Sequence, residues 1–74
     1  MKKFKIKLID VGRDNHNSEE KKQFKSLKEA AYYAYKKADK FLLSSNTSLE
    51  GEAGKYTVYA GFQPVGIVEI EEII

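Results

Sequence analysis

The chain begins with a regular alternation of apolar and lysine side chains. Phe4, Ile6 and Leu8 occupy every second position, which is the spacing that places side chains on one face of a β-strand. The positions between them are lysines: Lys3, Lys5 and Lys7. The pattern predicts a strand over residues 3–11, with one face towards a core and a lysine face towards water.

Residues 19–25 fit two structures. They fit an edge strand that pairs with the first strand and points Phe24 inward, and they also fit the early start of a helix capped by Ser18. Residues 26–29 match a capping box, in which Ser26 and Glu29 each satisfy a free backbone N–H at a helix start. A helix that starts there requires a non-helical chain before it. We therefore favour the strand, whose many charges suit an exposed sheet edge.

Residues 27–43 repeat apolar side chains with helical spacing. At about 100° per residue, one face collects Leu27, Ala31, Ala34, Ala38, Phe41 and Leu42. We expect this face to pack on a sheet, at short distance because alanine is small. Residues 44–54 are polar and contain glycine, so they are predicted to form a loop.

The remaining chain predicts two further strands. Residues 55–61 are rich in aromatic and β-branched side chains, with Tyr56, Val58 and Ala60 on the core side. Residues 62–66 contain Pro64 and are predicted to turn. A last strand then covers residues 67–71, with an extension to Ile73 as an alternative end.

The predicted order is β-β-α-β-β, an α+β fold in which one helix packs on a four-stranded antiparallel sheet. With 74 residues, the chain has room for a single small α+β domain over residues 1–74. A right-handed crossover gives the spatial strand order 2-1-3-4, with the last strand at an edge.

A bare apolar edge strand invites pairing with another strand. The last strand carries three such side chains, and they are predicted to pair with a second copy in a homodimer: Ile67, Val68 and Ile70. The alternative is a monomer in which residues 44–54 fold over this strand, with Leu49 beside it.

Composition excludes several classes of protein. The chain has no cysteine, so it has no disulfide and no thiolate ligand or nucleophile. It has no apolar run near the ~20 residues of a membrane span, and its alternating N-terminus lacks the apolar region of a signal peptide. We expect a cytoplasmic protein that does not bind membranes.

The charges are unevenly distributed along the chain. Residues 1–40 carry twelve basic and six acidic side chains, whereas residues 41–74 carry one lysine and five glutamates. Such asymmetry occurs in nucleic-acid-binding surfaces. It also arises when basic and acidic strands pair within one fold, and we favour this second explanation.

Candidate catalytic chemistry is sparse. His16 is the single histidine and falls in a polar stretch, where a solvated side chain is the ordinary expectation. The acidic residues of this stretch do not have the spacing of a calcium loop, and neither phosphate-binding glycine motif occurs. We expect no enzymatic activity, no cofactor and no metal.

Three binding surfaces remain as hypotheses. The first is the outer helix face, where tyrosines and a leucine ringed by lysines resemble a protein-binding surface: Tyr32, Tyr33, Lys36, Lys40 and Leu43. The alternative is a nucleic-acid-binding sheet face made of lysines and one aromatic side chain: Lys3, Lys5, Lys7, Lys21 and Tyr59. The third is a small-ligand site at a dimer cleft, with contacts from Arg13, Tyr56 and Tyr59.

The first hypothesis gives the expected function. It describes a small non-enzymatic binding protein that acts by contact with a protein partner and forms a homodimer. Regulators and inhibitors of larger assemblies are often of this size, including phage-encoded ones. Fold alone does not distinguish it from the nucleic-acid and small-ligand hypotheses.

Overall fold

The computed structural model describes residues 1–42 and 46–73. Its elements, in chain order, are β1 (Lys2–Val11), β2 (His16–Phe24), α1 (Leu27–Asp39), β3 (Thr47–Glu52), β4 (Lys55–Ala60) and β5 (Gln63–Ile73). The strands form one antiparallel sheet in the order β2-β1-β5-β4-β3. The predicted α+β class with a single helix is confirmed, but the sheet has five strands rather than four.

The core lies between α1 and one face of the sheet. The helix contributes small side chains, and the strands contribute large ones. The buried apolar residues are Phe4, Ile6, Leu8, Val11, Phe24, Ala30, Ala34, Ala38, Val58, Val68 and Ile70. Because three alanines form the buried stripe of the helix, the helix backbone lies close to the sheet. We call the sheet face that α1 covers the helix face and the opposite face the open face.

The predicted strand order 2-1-3-4 is wrong, because β5 lies in the middle of the sheet. It pairs with β1 on one side and with β4 on the other. Residues Ile67, Val68 and Ile70 therefore have strand neighbours on both sides and cannot pair with a second copy along an edge. The physical reason is burial: the most apolar strand gains most at the centre, where Val68 and Ile70 are covered.

Residues 47–52 form the edge strand β3, whereas the sequence predicted a loop there. Two residues, Ala53 and Gly54, connect β3 to β4 with φ values of 57° and 87°. Positive φ at both central positions is what a type I′ hairpin turn requires. The turn is held further by the Gly54 carbonyl, which accepts the Ile70 backbone N–H at 2.7 Å.

The strand interpretation of residues 19–25 is confirmed, since β2 runs from His16 to Phe24. The helix begins at Leu27, as the capping box predicted. Ser26 has extended backbone angles, and its hydroxyl accepts the Glu29 backbone N–H at 3.3 Å. One of the four free N–H groups of the first turn is thereby satisfied.

The helix ends earlier than predicted, at Asp39 with Lys40 as its C-cap. Phe41 therefore leaves the predicted core face: it is 38% exposed and stacks on His16 with ring centroids 3.7 Å apart. His16 is half-buried at the start of β2 rather than solvated in a turn. Leu43 lies outside the described residues.

The turn between β4 and β5 consists of Gly61 and Phe62, not of residues 62–66. Ala60 pairs with Gln63, and Gly61 has φ 67°, as a type II′ hairpin turn requires at its first central position. Pro64 lies inside β5, where the register shifts at a bulge. A bulge is one of the few places in which a sheet tolerates proline.

The N-cap gives a first testable prediction. Ser26→Ala should lower the free energy of unfolding by about 1 kcal/mol, because the cap hydrogen bond is lost. Ser18→Ala is the matched control: its hydroxyl is buried in β2 without a hydrogen-bond partner among the described residues, so its removal should leave stability unchanged or raise it. Urea denaturation of both variants measures the two effects, and a larger loss for Ser18→Ala would contradict the helix start.

A pair of glycines tests the contact between the β1–β2 turn and the end of the helix. Gly12 and Gly61 both have positive φ, but a Cβ on Gly12 would collide with the Phe41 carbonyl oxygen, whereas a Cβ on Gly61 meets open space. Gly61→Ala should cost about 1–2 kcal/mol through backbone strain alone. Gly12→Ala should cost at least about 2 kcal/mol more. Equal losses in thermal melts would show that the turn does not pack on Phe41.

Candidate interaction surfaces

The open face carries a ladder of alternating charges. Strand register places one residue of each strand in a single row across the sheet, with opposite charges as neighbours throughout. In the order of the strands, this charge ladder is Glu19, Lys7, Glu69, Lys55 and Glu52. The Lys7 ammonium lies 3.6 Å from the Glu19 carboxylate. Opposite charges on facing strand positions stabilise a sheet.

Outside the ladder the charges are paired less regularly. Lys5 faces Glu71 on β5, with their charged atoms 3.9 Å apart, but it faces Lys21 on β2. In total the open face holds five lysines and five glutamates: Lys3, Lys5, Lys7, Lys21 and Lys55 with Glu19, Glu50, Glu52, Glu69 and Glu71. The asymmetry between the two halves of the sequence thus cancels within this face.

The residues of the nucleic-acid hypothesis are only partly brought together. Lys3, Lys5, Lys7 and Lys21 share the open face on neighbouring strands. Tyr59 shares that face but lies four residues, about 13 Å, along the strand from the ladder residue Lys55, with β5 between it and β1. Tyr59 therefore does not lie among these lysines, where it could stack on a nucleic-acid base. The glutamates between the lysines also weaken the attraction for phosphates.

Tyr59 instead belongs to an apolar patch on the same face. Ile9 and Ile67 lie directly opposite each other on β1 and β5, and Pro64 lies opposite Tyr59 on β5 and β4. Ile67 is 46% exposed. We call these four residues the open-face apolar patch. Sequence analysis named Tyr59 and Ile67 for other roles and missed the patch, because strand register is needed to see that they share one end of one face.

Phe62 lies just beyond this patch, at the tip of the β4–β5 hairpin. Its side chain is fully exposed, which is uncommon for phenylalanine. The only available sequence signal was a phenylalanine directly after a glycine in a predicted turn, where polar residues are usual.

A groove of about 1140 Å³ opens at this end of the molecule. It is bounded by the β1–β2 turn, the end of α1 and the start of β5, and it combines apolar walls with charged residues of both signs: Asp10, Arg13, Asp14 and Lys40. Arg13 lines it, but Tyr56 packs on the helix face against the core, and Tyr59 is not part of its lining. The three residues of the small-ligand hypothesis therefore do not form one site.

The outer face of α1 presents the exposed Tyr32 beside the half-buried Tyr35. Tyr32 is 61% exposed, and its ring centroid lies 6.3 Å from that of Tyr35. The Lys36 ammonium lies 5.7 Å from the centre of the Tyr32 ring, within the range of a cation–π contact. Lys40 is exposed at the helix end. Tyr35 was missed by sequence analysis, although it follows Tyr32 by one helical turn.

Tyr33 does not share this outer face. It is half-buried against Phe24, with ring centroids 5.3 Å apart, and the Lys22 ammonium lies 4.6 Å from its ring centre. Tyr33 therefore joins the helix to β2, and its replacement is expected to affect stability rather than partner binding alone.

Tyr33 also belongs to a polar cluster around Glu20. The Lys37 ammonium donates a hydrogen bond to the Glu20 carboxylate at 2.9 Å. Partial burial raises the pKa of Glu20, but the hydrogen bonds from Tyr33 and Lys37, with the charges of Lys37 and Lys22, outweigh burial and lower that pKa below 4.5. The hydrogen bond to Glu20, together with burial, raises the pKa of the Tyr33 hydroxyl.

No group of three or more histidine, cysteine, aspartate or glutamate side chains suited to a metal ion occurs within residues 1–42 and 46–73. No helix in the described part of the chain is long and apolar enough to cross a membrane. No protein-family model matches the chain, and neither the curated proteins nor the solved structures contain a match.

The Glu20 cluster gives a prediction of pH dependence. Glu20→Gln should lower the free energy of unfolding at pH 7 by about 1 kcal/mol, because charge-assisted hydrogen bonds are lost. The folded-state pKa lies below the ordinary value of 4.5, so this stabilisation is complete above that value and disappears as the pH falls through the folded-state pKa.

Urea denaturation of the wild type and Glu20→Gln across a pH series measures this difference. Glu19→Gln is the matched control, since it is one position away on the open face and its partner Lys7 lies at 3.6 Å. Exposed pairs contribute little, so its effect should be smaller at every pH. A gap between wild type and Glu20→Gln that stays constant far below pH 4.5 would contradict the role of the ionised carboxylate.

Proposed function

We propose that this protein is a small non-enzymatic binding protein that contacts an acidic surface of a protein partner through the outer face of α1. The observation that supports the proposal is the exposed Tyr32, with the half-buried Tyr35 and Lys36 beside it. Tyrosine offers a large contact area at low entropic cost. The core does not need Tyr32, because the alanine stripe on the other side of the helix supplies the packing.

The charge of the helix layer indicates the kind of partner. Residues 25–40 carry five lysines against two acidic residues, whereas the open face is balanced. The positive charge of the folded molecule is therefore concentrated on the helix side. A basic surface favours an acidic partner by speeding encounter and by excluding basic partners.

The proposal places the protein in the cytoplasm, which a chain without cysteine suits. In that role it occupies a site on a larger assembly, as a regulator or an inhibitor. Nucleic-acid binding by the lysines of the open face is less well supported, because the same face carries as many glutamates as lysines.

A double substitution on the helix face tests the proposal. Tyr32→Ser with Lys36→Ser should keep stability within about 0.5 kcal/mol of the wild type, because surface substitutions rarely cost more. It should reduce capture of partner proteins from the native cells at least about tenfold, since exposed aromatic residues dominate binding energy. Quantitative mass spectrometry of proteins retained by the tagged chain, after nuclease treatment, measures the loss.

The matched control is Lys21→Ser, which removes one lysine from the open face, as Lys36→Ser does from the helix, and leaves the open-face apolar patch intact. Partners of the helix face should be retained by this control and released from the wild type by added salt, which screens charge contacts. The proposal fails if the helix variant retains the same proteins as the wild type, or if the retained material disappears with nuclease.

A further inference from the structure

Phe62 has an exposure that neither the turn nor the core explains. The turn needs glycine at position 61, and its second central position accepts many residue types. The Gly61 backbone N–H donates to the Asn46 carbonyl at 2.9 Å, but a Cβ on Gly61 would meet nothing within 4 Å, so the space for a side chain at this position is open. A fully exposed phenylalanine at such a tip is the kind of side chain that becomes buried on association.

The open-face apolar patch is the matching surface. Ile9 and Ile67 face each other on adjacent strands, with Pro64 and Tyr59 as the next pair towards the hairpin tip. No described element covers this face. The groove at this end runs along Ile9, Pro64 and Ile67, so it offers an apolar depression beside an apolar projection.

We propose that this end of the molecule is a self-association surface, in which Phe62 of each copy packs against Ile9 and Ile67 of the other about a twofold axis. This inference goes beyond the proposed function and uses a different face of the molecule. It also differs from pairing along the last strand, which the central position of β5 excludes.

The position of the projecting Phe62 relative to the apolar groove favours a second copy over another partner. Phe62 and Ile67 lie on the same hairpin, five positions apart, with Pro64 and Tyr59 between them. A twofold axis near Pro64 therefore places each Phe62 on the other copy's Ile67, and the same contact forms twice. A different partner would have to supply both a complementary projection and a complementary depression.

The charges around this end also suit a second copy. The groove has two acidic and two basic side chains, Asp10 and Asp14 with Arg13 and Lys40. The open face as a whole is balanced as well, with five lysines and five glutamates. A self-contact therefore brings no net like charge together and allows opposite charges to pair, whereas a strongly acidic or basic partner finds no excess of complementary charge.

The contact area is at the lower end for specific complexes. Each partner contributes one phenylalanine, which buries about 150–250 Å². Ile9, Tyr59 and Ile67 are already partly buried in the monomer, so the contact stays below the roughly 800 Å² per partner of a standard interface. We therefore expect a reversible dimer with a dissociation constant in roughly the micromolar range.

Sedimentation equilibrium of the full chain from about 1 µM to 1 mM tests the proposal. The wild type should change from monomer to dimer mass over this range. Phe62→Ser should raise the dissociation constant at least about 100-fold, because two identical contacts are lost. Since Phe62 is fully exposed, its replacement should leave the melting temperature of the dilute monomer unchanged.

Two matched controls separate this surface from general effects. Ile67→Ser should raise the dissociation constant at least about tenfold, whereas Ile73→Ser, the same substitution on the open face of the same strand but opposite Lys3, should change it by less than about threefold. Tyr32→Ser should leave it unchanged, so the dimer and the helix-face function can fail independently.

A second measurement does not depend on any variant. Backbone NMR shifts of the wild type should change with protein concentration at Ile9, Tyr59 and Ile67 and stay constant in α1. A monomeric mass at every concentration would overturn the proposal. So would equal effects of Ile67→Ser and Ile73→Ser, an unchanged dimer in Phe62→Ser, or shift changes centred on α1.

Discussion

The sheet has two faces, and the described part of the chain provides one helix, which can cover only one of them. A helix of 13 residues is about 20 Å long, and it packs on a single face through Ala30, Ala34 and Ala38. The opposite face of all five strands therefore has no covering layer among the described elements. The helix cannot bury both faces of the sheet, so the side chains of the open face must make that face compatible with water.

The open face meets this requirement differently at its two ends. Towards the ends of the chain, Lys5 and Lys7 of β1 face glutamates of β5, and Lys7 also faces Glu19 of β2. These pairs of opposite charge stabilise strand register. Towards the β4–β5 hairpin, isoleucine, proline and tyrosine replace the charges. Exposed apolar patches are typical of interaction sites, and this change from charged to apolar residues is the basis of the self-association that we propose.

Local patterns were sufficient for the elements that depend on local physics. The period of two in β1 and the cap at Ser26 predicted a strand and a helix start that the structure contains, because each follows from a few neighbouring residues. Residues 47–52 could not be predicted in this way. Their glycine and glutamates are poor strand formers, and they become β3 because the edge of β4 offers backbone hydrogen bonds.

Long-range order accounts for the other errors. The position of β5 depends on how much apolar surface each whole strand buries at the centre of the sheet rather than at its edge. No local sequence pattern contains this information. The same is true of the candidate surfaces. Tyr59 was expected near the lysines because both lie on one face, but only the register with Pro64 shows that it lies at the other end. Tyr33 was expected on the outer helix face but packs against Phe24 of β2, and Tyr35, to which the sequence assigned no role, lies beside Tyr32.

The two proposed surfaces lie on opposite sides of the sheet, and this placement has a consequence for binding. If the open faces meet about a twofold axis, the two helices point outward in opposite directions, and neither basic face is hidden by dimerisation. A dimer then presents two copies of the Tyr32 surface at a fixed spacing.

An assembly with repeated acidic sites that match this spacing would bind both copies, and the second contact would form at a high effective concentration. Because the dimer is expected to be weak, such an assembly would also stabilise it, since binding to the dimer but not to the monomer shifts the equilibrium by mass action. Self-association and partner binding would thus reinforce each other without any change in the fold.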